Sequence, residues 1–362
     1  MQAKSNYIPT LDGLRAFAIF TLLLGHAVDS HSHRRLCGIG RIGVHLFFAL
    51  SGYLVTTRLL QEYAHNGRIS VRNFYIRCVF RALPSAIFYL GIVWLLAQTS
   101  LVLCSWTAIR AALFFYTDYE PFTDLGWRVG HFFSFAVEAH FYLFWPALLL
   151  FFGIRKGGRT AAIGAVTIIL WRILDDRFHI IAHLFHLPTL EENLYRTDLV
   201  VDAIFWGCCL AFYLHSAQRK SLSPLYSTAI AGMAATILIA SVFWQLPHTA
   251  FVILLLPTVL LGAVVVAPDT PLGKFLELPV LRFFGRLAFN LYIWQQLFLG
   301  GPGPRLPLPL ALVAVLVCAY LSYKFIEEPI LQFGHRLYPH PVAIAQRNAL
   351  LRQQTSPAPD NP

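Results

Sequence analysis

Arg15 and His26 stand near the two ends of the first apolar stretch of the chain. On a single helix they would lie about 16 Å apart along the axis. A charged or titratable side chain inside a membrane helix costs roughly 2.5–3.5 kcal/mol on insertion scales, so each is a candidate functional group. Arg15 keeps its charge at any ordinary pH and suits an anionic group such as phosphate. His26 suits proton transfer near neutrality. The structural alternatives are snorkelling of Arg15 to the headgroups and simple packing of His26.

A third group is Glu138, set among Phe132, Phe133, Phe135, Phe141 and Tyr142, with His131 and His140 nearby in sequence. A carboxylate in such surroundings needs a partner or a proton. A contact between His26 and Glu138 would satisfy both groups and make the imidazole more basic. The segment from Arg58 to Arg81 also carries Arg68, Arg72 and Arg77. Arg77 and Arg81, four apart, share a helix face. That spacing suits a polyphosphate at a membrane surface, and it equally serves topology and headgroup contact.

These residues need a scaffold, and composition says which kind. Of 362 residues 57% are hydrophobic and 13% charged, and the mean hydropathy is +0.60. A soluble domain carries about 25% charged residues. Apolar runs recur at lengths near the roughly 20 residues that cross a bilayer. They predict an all-α, polytopic integral membrane protein with about ten transmembrane helices, over roughly 12–28, 42–60, 80–104, 131–152, 160–174, 199–215, 225–244, 249–267, 284–300 and 308–326. An eleventh stretch, Ala108–Phe115, is too short to span. Lys and Arg favour the segments on the N-terminal side by roughly two to one, so both termini are expected to be cytoplasmic. The same rule accounts for the net charge of +10 without nucleic acid. The first apolar run reads as a retained helix, because no small-residue cleavage site follows it. Residues 336–362 read as a polar, largely disordered cytoplasmic tail, too short for an appended soluble domain.

Several blocks follow one another in chain order: Leu11–Ala16 with His26, Gly43–Leu54, Phe74–Arg77 through Arg81–Pro84, Phe133–Glu138 through Phe141–Pro146, Asp202 with Gly207, Phe284–Arg286, Leu291–Trp294 and Phe325–Pro329. Together they resemble the acyltransferase-3 family of membrane O-acyltransferases. The resemblance covers about residues 8–335 and makes residues 1–335 the transmembrane domain. It implies an acyl-CoA donor, acetyl-CoA above all, arriving from the cytoplasm. It implies a hydroxyl acceptor on a carbohydrate or lipid-linked glycan, a bacterial inner membrane and no permanently bound cofactor. The family's motif His falls on His26 and its motif Arg on Arg15. Its basic pair falls on Arg77 and Arg81 in part, since Cys78 stands at the usual first Arg. His45, Ala139, Val200 and Gln295 are further departures. They bear on the acceptor more than on the Arg15–His26 core.

The mechanism expected from this reading docks the donor phosphates on Arg15, Arg77 and Arg81, with His26 as general base supported by Glu138. Ser51 and Ser134 lie in no nucleophile elbow, which favours direct attack. Gly38–Gly43 fits GxGxxG, but it enters a membrane helix where a dinucleotide site needs a βαβ unit. His26, His31 and His33 have no cysteine partners or fixed scaffold for a metal. No HxxxxD, HExxH or P-loop is present. The rival readings are a transporter or flippase using the same ionisable residues, and a sensor or scaffold that has lost the chemistry.

Overall fold

The computed structural model describes residues 7–28, 38–120, 126–185, 195–216, 223–244, 249–302 and 306–337, and their regular structure is entirely helical. The order is α1 (Pro9–Ala27), α2 (Ile39–Asn66), α3 (Val71–Gln98), α4 (Trp106–Leu113), α5 (Trp127–Gly130), α6 (Phe132–Phe152), α7 (Gly157–Phe178) and α8 (Ile180–Phe185). It continues with α9 (Thr197–Val200), α10 (Asp202–Ser216), α11 (Pro224–Trp244), α12 (Thr249–Val266), α13 (Pro271–Leu276), α14 (Pro279–Phe298), α15 (Leu308–Ser322) and α16 (Glu328–Leu337). A π-helical turn, Tyr323–Glu327, joins the last two.

Each of the ten expected spans coincides with a helix. Among the described residues, six helical stretches are long and apolar enough to cross a membrane: Ile39–Asn66, Val71–Gln98, Trp127–Phe152, Ile154–Phe178, Leu225–Trp244 and Leu308–Gly334. The other four expected spans form α1, α10, α12 and α14, which are shorter or more polar. The stretch expected at 108–115 is the two-turn helix α4, about 12 Å long.

The largest boundary difference is in α3, which begins nine residues before the expected 80. Ser70 caps it, its Oγ accepting from Asn73 N–H, and its first turns carry Arg72 and Arg77 on a partly polar face that hydropathy alone passes over. Polar side chains are affordable there because Ser70 N–H donates to Glu62 Oε1 at 2.9 Å, tying the end of α2 to the start of α3.

α2 is the axis of the bundle. In its most apolar window 67% of residues are buried, against 22% for the stretches containing α7 and α15. It packs on α1, α10 and α12, while α1 packs on α14 and α14 on α15. Glycine permits the closest of these approaches: a Cβ on Gly52 would overlap the Ile204 carbonyl, and one on Gly207 the Ala49 carbonyl. Small residues that let backbones meet are the usual device where lipid removes the hydrophobic drive between helices. Large apolar side chains such as Phe151, Ile163, Leu225 and Phe325 point outward, as expected where the surrounding solvent is hydrocarbon.

Candidate active site

At the N-terminal end of α1, Arg15 pairs with Asp12 at 2.6 Å. Asp12 is buried and also accepts from the Tyr7 hydroxyl. Arg282 donates to that hydroxyl at 3.3 Å. Across from them Arg77 pairs with Glu62 at 3.0 Å, and Glu62 is 1% exposed. Arg15, Arg58, Arg77 and Arg81 lie close enough to repel one another. Neither Arg58 nor Arg81 has a carboxylate partner among the described residues, and both are exposed. Guanidinium groups not held in a direct ion pair, as at Arg58 and Arg81, attract phosphate oxygens. The cluster thus brings Arg15, Arg77 and Arg81 together, adds Arg58, and shows that Arg77 is already committed to Glu62. Cys78, at the departure from the basic pair, sits within electrostatic reach of Arg58, Arg77 and Arg81.

Glu138 lies within reach of Arg81. Its Oε1 accepts from Ser51 Oγ at 2.6 Å and its Oε2 from the Tyr142 hydroxyl at 3.0 Å. Trp145 Nε1 donates to Thr56 Oγ at 3.0 Å, both residues fully buried, and this pins α6 to α2 about two turns of α6 further along. A second carboxylate, Glu327, faces Arg81 and accepts from Asn290 Nδ2. The π turn holds it there, a feature frequent at functional sites.

His26 lies at the far end of α1, its ring edge-to-face with Trp127 at 5.6 Å. No hydrogen bond joins it to Glu138. That expected contact does not form, because the carboxylate is taken by Ser51 and Tyr142. His26 instead shares this end of the bundle with His131, which is near enough to interact electrostatically. His131 N–H and Nδ1 both bond Gln296 Oε1, at 2.9 and 2.7 Å. The Arg128 guanidinium donates to the carbonyls of Gln296, Leu297 and Pro302 at 2.9, 2.8 and 3.3 Å. It places a cation on the C-terminal end of α14, where the helix dipole favours one. Ser134 Oγ donates to the Tyr292 hydroxyl at 2.7 Å.

The remaining departures have structural settings. Val200 is buried and apolar, and Asp202 finds its cation in Arg172 of α7 at 3.1 Å. Both amide atoms of Gln295 and His45 Nδ1 are buried without partners among the described residues. Outside the spans, Asp118 accepts from Thr197 Oγ at 2.6 Å, and burial raises its carboxyl above the usual range. Arg196 bridges Asp175 and Asp198, each at 2.8 Å. Gly38–Gly43 opens α2 with no strand before it among the described residues, and Gly43 abuts the Ala18 carbonyl of α1. His31 and His33 lie outside the described residues, as does the tail beyond Leu337.

A bundle whose described residues are all-helical, with six membrane-length apolar stretches among them and with arginines, carboxylates and imidazoles between its helices, belongs to the class of multi-pass membrane proteins. A family model described as an acyltransferase domain, Acyl_transf_3, matches residues 8–324. The chain belongs to that acyltransferase-3 family.

It is similar to a Staphylococcus aureus (strain COL) protein named provisionally as an O-acetyltransferase, with 28% identity over 91% of this chain and 58% of the relative. It is also similar to O-acetyltransferase OatA of S. aureus (strain NCTC 8325 / PS 47), with 26% identity over 92% of this chain and 58% of the relative. The chain thus spans under two thirds of the length of these relatives. No solved structure matches it.

Sequence reasoning named Arg58 in the basic segment but left it out of the phosphate-docking set, and it missed Ser51 and Tyr142 as the partners of Glu138 and Gln296 as the partner of His131. The last pair is 165 residues apart, and nothing in either local sequence signals it. Glu327 stood in a family-like block, but no helical periodicity marks it as inward-facing.

Proposed function

We propose that the protein is a membrane O-acyltransferase that moves an acyl group, acetyl above all, from acyl-CoA to a hydroxyl of a carbohydrate or glycolipid. The observation that carries this is the arrangement along α1: an arginine cluster around Arg15 at one end and His26 beside Trp127 at the other. The separation of about 16 Å suits a donor whose phosphates and thioester are joined by an extended pantetheine arm. Arg15, Arg58 and Arg81 hold the phosphates, with Arg77 braced by Glu62 behind them.

His26 removes the proton of the acceptor hydroxyl as its oxygen bonds to the thioester carbonyl carbon. The C–S bond then breaks and the imidazolium returns the proton to the departing thiolate, so no metal or ion gradient enters the balance. A base placed in this way contributes roughly 10²–10⁴-fold. Glu138 acts from the middle of the path, through Ser51 and Tyr142. In this reading the ten helices at the expected positions span a bacterial inner membrane, and both termini face the cytoplasm with the arginine cluster.

The test is transfer from radiolabelled acetyl-CoA in membranes carrying the wild type or His26→Ala. Label in glycan or lipid fractions with the wild type, reduced at least 100-fold in the variant, is the expected result. Equal labelling in both removes His26 from the mechanism. Uptake or flipping of a substrate without CoA release favours a transporter.

A further inference from the structure

Gln296 does more for His131 than fill space. Its Oε1 accepts the His131 backbone N–H at 2.9 Å, which fixes the orientation of the amide, since a backbone N–H can only donate. The same oxygen lies 2.7 Å from Nδ1, so Nδ1 must carry a proton. In a neutral ring Nε2 is then a bare acceptor. That atom is buried, with no partner among the described residues, and the residue is 2% exposed.

Its surroundings are specific. Tyr89 of α3 and Tyr292 of α14 approach the ring at 5.5 and 5.4 Å, but their hydroxyls donate to the Arg128 and His131 carbonyls. The Arg128 guanidinium is taken up by the end of α14. Among the described residues, His26 of α1 is near enough to act on the ring electrostatically. Trp127, which packs on His26, precedes His131 by four residues, and this spacing puts the two on one side of the short helical segment.

A neutral His26 needs one acceptor and one donor, but once protonated it has two N–H groups to satisfy in a half-buried setting. The geometry points to His131 as the positioning residue of the base: its Nε2 accepts the second N–H of the His26 imidazolium, and Gln296 holds it in the tautomer that can do so. This rests on the reading of His26 as the base. It assigns to His131 and Gln296 the supporting role that the sequence suggested for Glu138, and it follows the base-and-orienter logic of activated hydroxyls.

The experiment is the pH dependence of label transfer from acetyl-CoA in three variants, with folding checked by Tm. The amide of His131→Asn can still donate to Gln296 but offers nothing at the Nε2 position. The amide oxygen of His131→Gln can reach that position. Gln296→Glu keeps the acceptor for Nδ1–H and makes His131 a stronger one.

The expected result is a loss of 10-fold or more in kcat for His131→Asn at unchanged KM for acetyl-CoA, with the acid limb of the pH–rate profile moved to lower pH. His131→Gln should recover part of the rate, and Gln296→Glu should move the limb to higher pH. A wild-type acid limb in both His131→Asn and Gln296→Glu overturns the inference, as does a His131→Gln variant no better than His131→Asn. Should His131→Asn fail to fold, the Gln296→Glu profile decides alone. Full transfer by His26→Ala overturns the parent reading itself, and this inference with it.

Discussion

At the scale of single residues, the arginines of the cluster look alike in sequence but are held very differently. Arg81 is exposed and in no direct ion pair among the described residues, with Glu138 and Glu327 only in electrostatic reach, whereas Arg77 covers the buried carboxylate of Glu62 at 3.0 Å. Removing a charge-assisted phosphate contact costs about 1.5–3 kcal/mol, or roughly a 10- to 100-fold rise in KM. Arg81→Gln is therefore expected to raise KM for acetyl-CoA by that factor with Tm unchanged. Arg77→Gln strands the Glu62 carboxylate, a change worth about 3–5 kcal/mol when a buried pair is broken, so it should lower Tm and membrane yield as well. Comparing KM and Tm for the two proteins checks both statements. The i,i+4 spacing of Arg77 and Arg81 was legible in the sequence. The capture of Arg77 by Glu62 was not, because the pair forms across the α2–α3 turn.

At the scale of elements, apolar runs located the helices because in hydrocarbon every backbone polar group must be paired within its own segment. They could not locate the start of α3, where Ser70 and Glu62 make a polar first turn tolerable. Nor could they foresee the π turn at Tyr323–Glu327, since one extra residue in a helical turn leaves composition unaltered. That turn sets the rotation at which Glu327 meets Asn290. Deleting the outward-facing Phe325 should restore a plain helix and swing the carboxylate away by about 100°, the rotation per residue of an α-helix. The deletion is expected to reduce label transfer at least 10-fold, while Phe325→Ala, which keeps the turn, stays within about twofold of wild type. Similar rates in the deletion and the substitution would show the turn to be dispensable.

At the scale of the whole molecule, the proposed orientation puts the loop around Arg155–Arg159 on the cytoplasmic side. Arg159 is exposed, so Arg159→Cys in a background lacking the native cysteines should react with a membrane-impermeant maleimide only after the membrane is opened. Labelling of intact cells would invert the topology. The all-helical fold could be read from sequence, as could the placing of Arg15 and His26 toward opposite ends of α1, since both follow from which residues hydrocarbon excludes. The pairings between distant helices could not, for they depend on packing that no single segment records.

One such pairing has a consequence in time. α1, synthesised first, packs on α14, and Glu327 comes later still. At about 5–20 residues per second, roughly 15–60 s of synthesis separate His26 from the last polar group of the site. In the proposed orientation the nascent first helix holds Arg15 and His26 in lipid for that interval, before their neighbours on the later helices are made. The Asp12–Arg15 pair, local to one turn, is available from the start. It gives the emerging helix its own counter-ion while the rest of the chain is still on the ribosome.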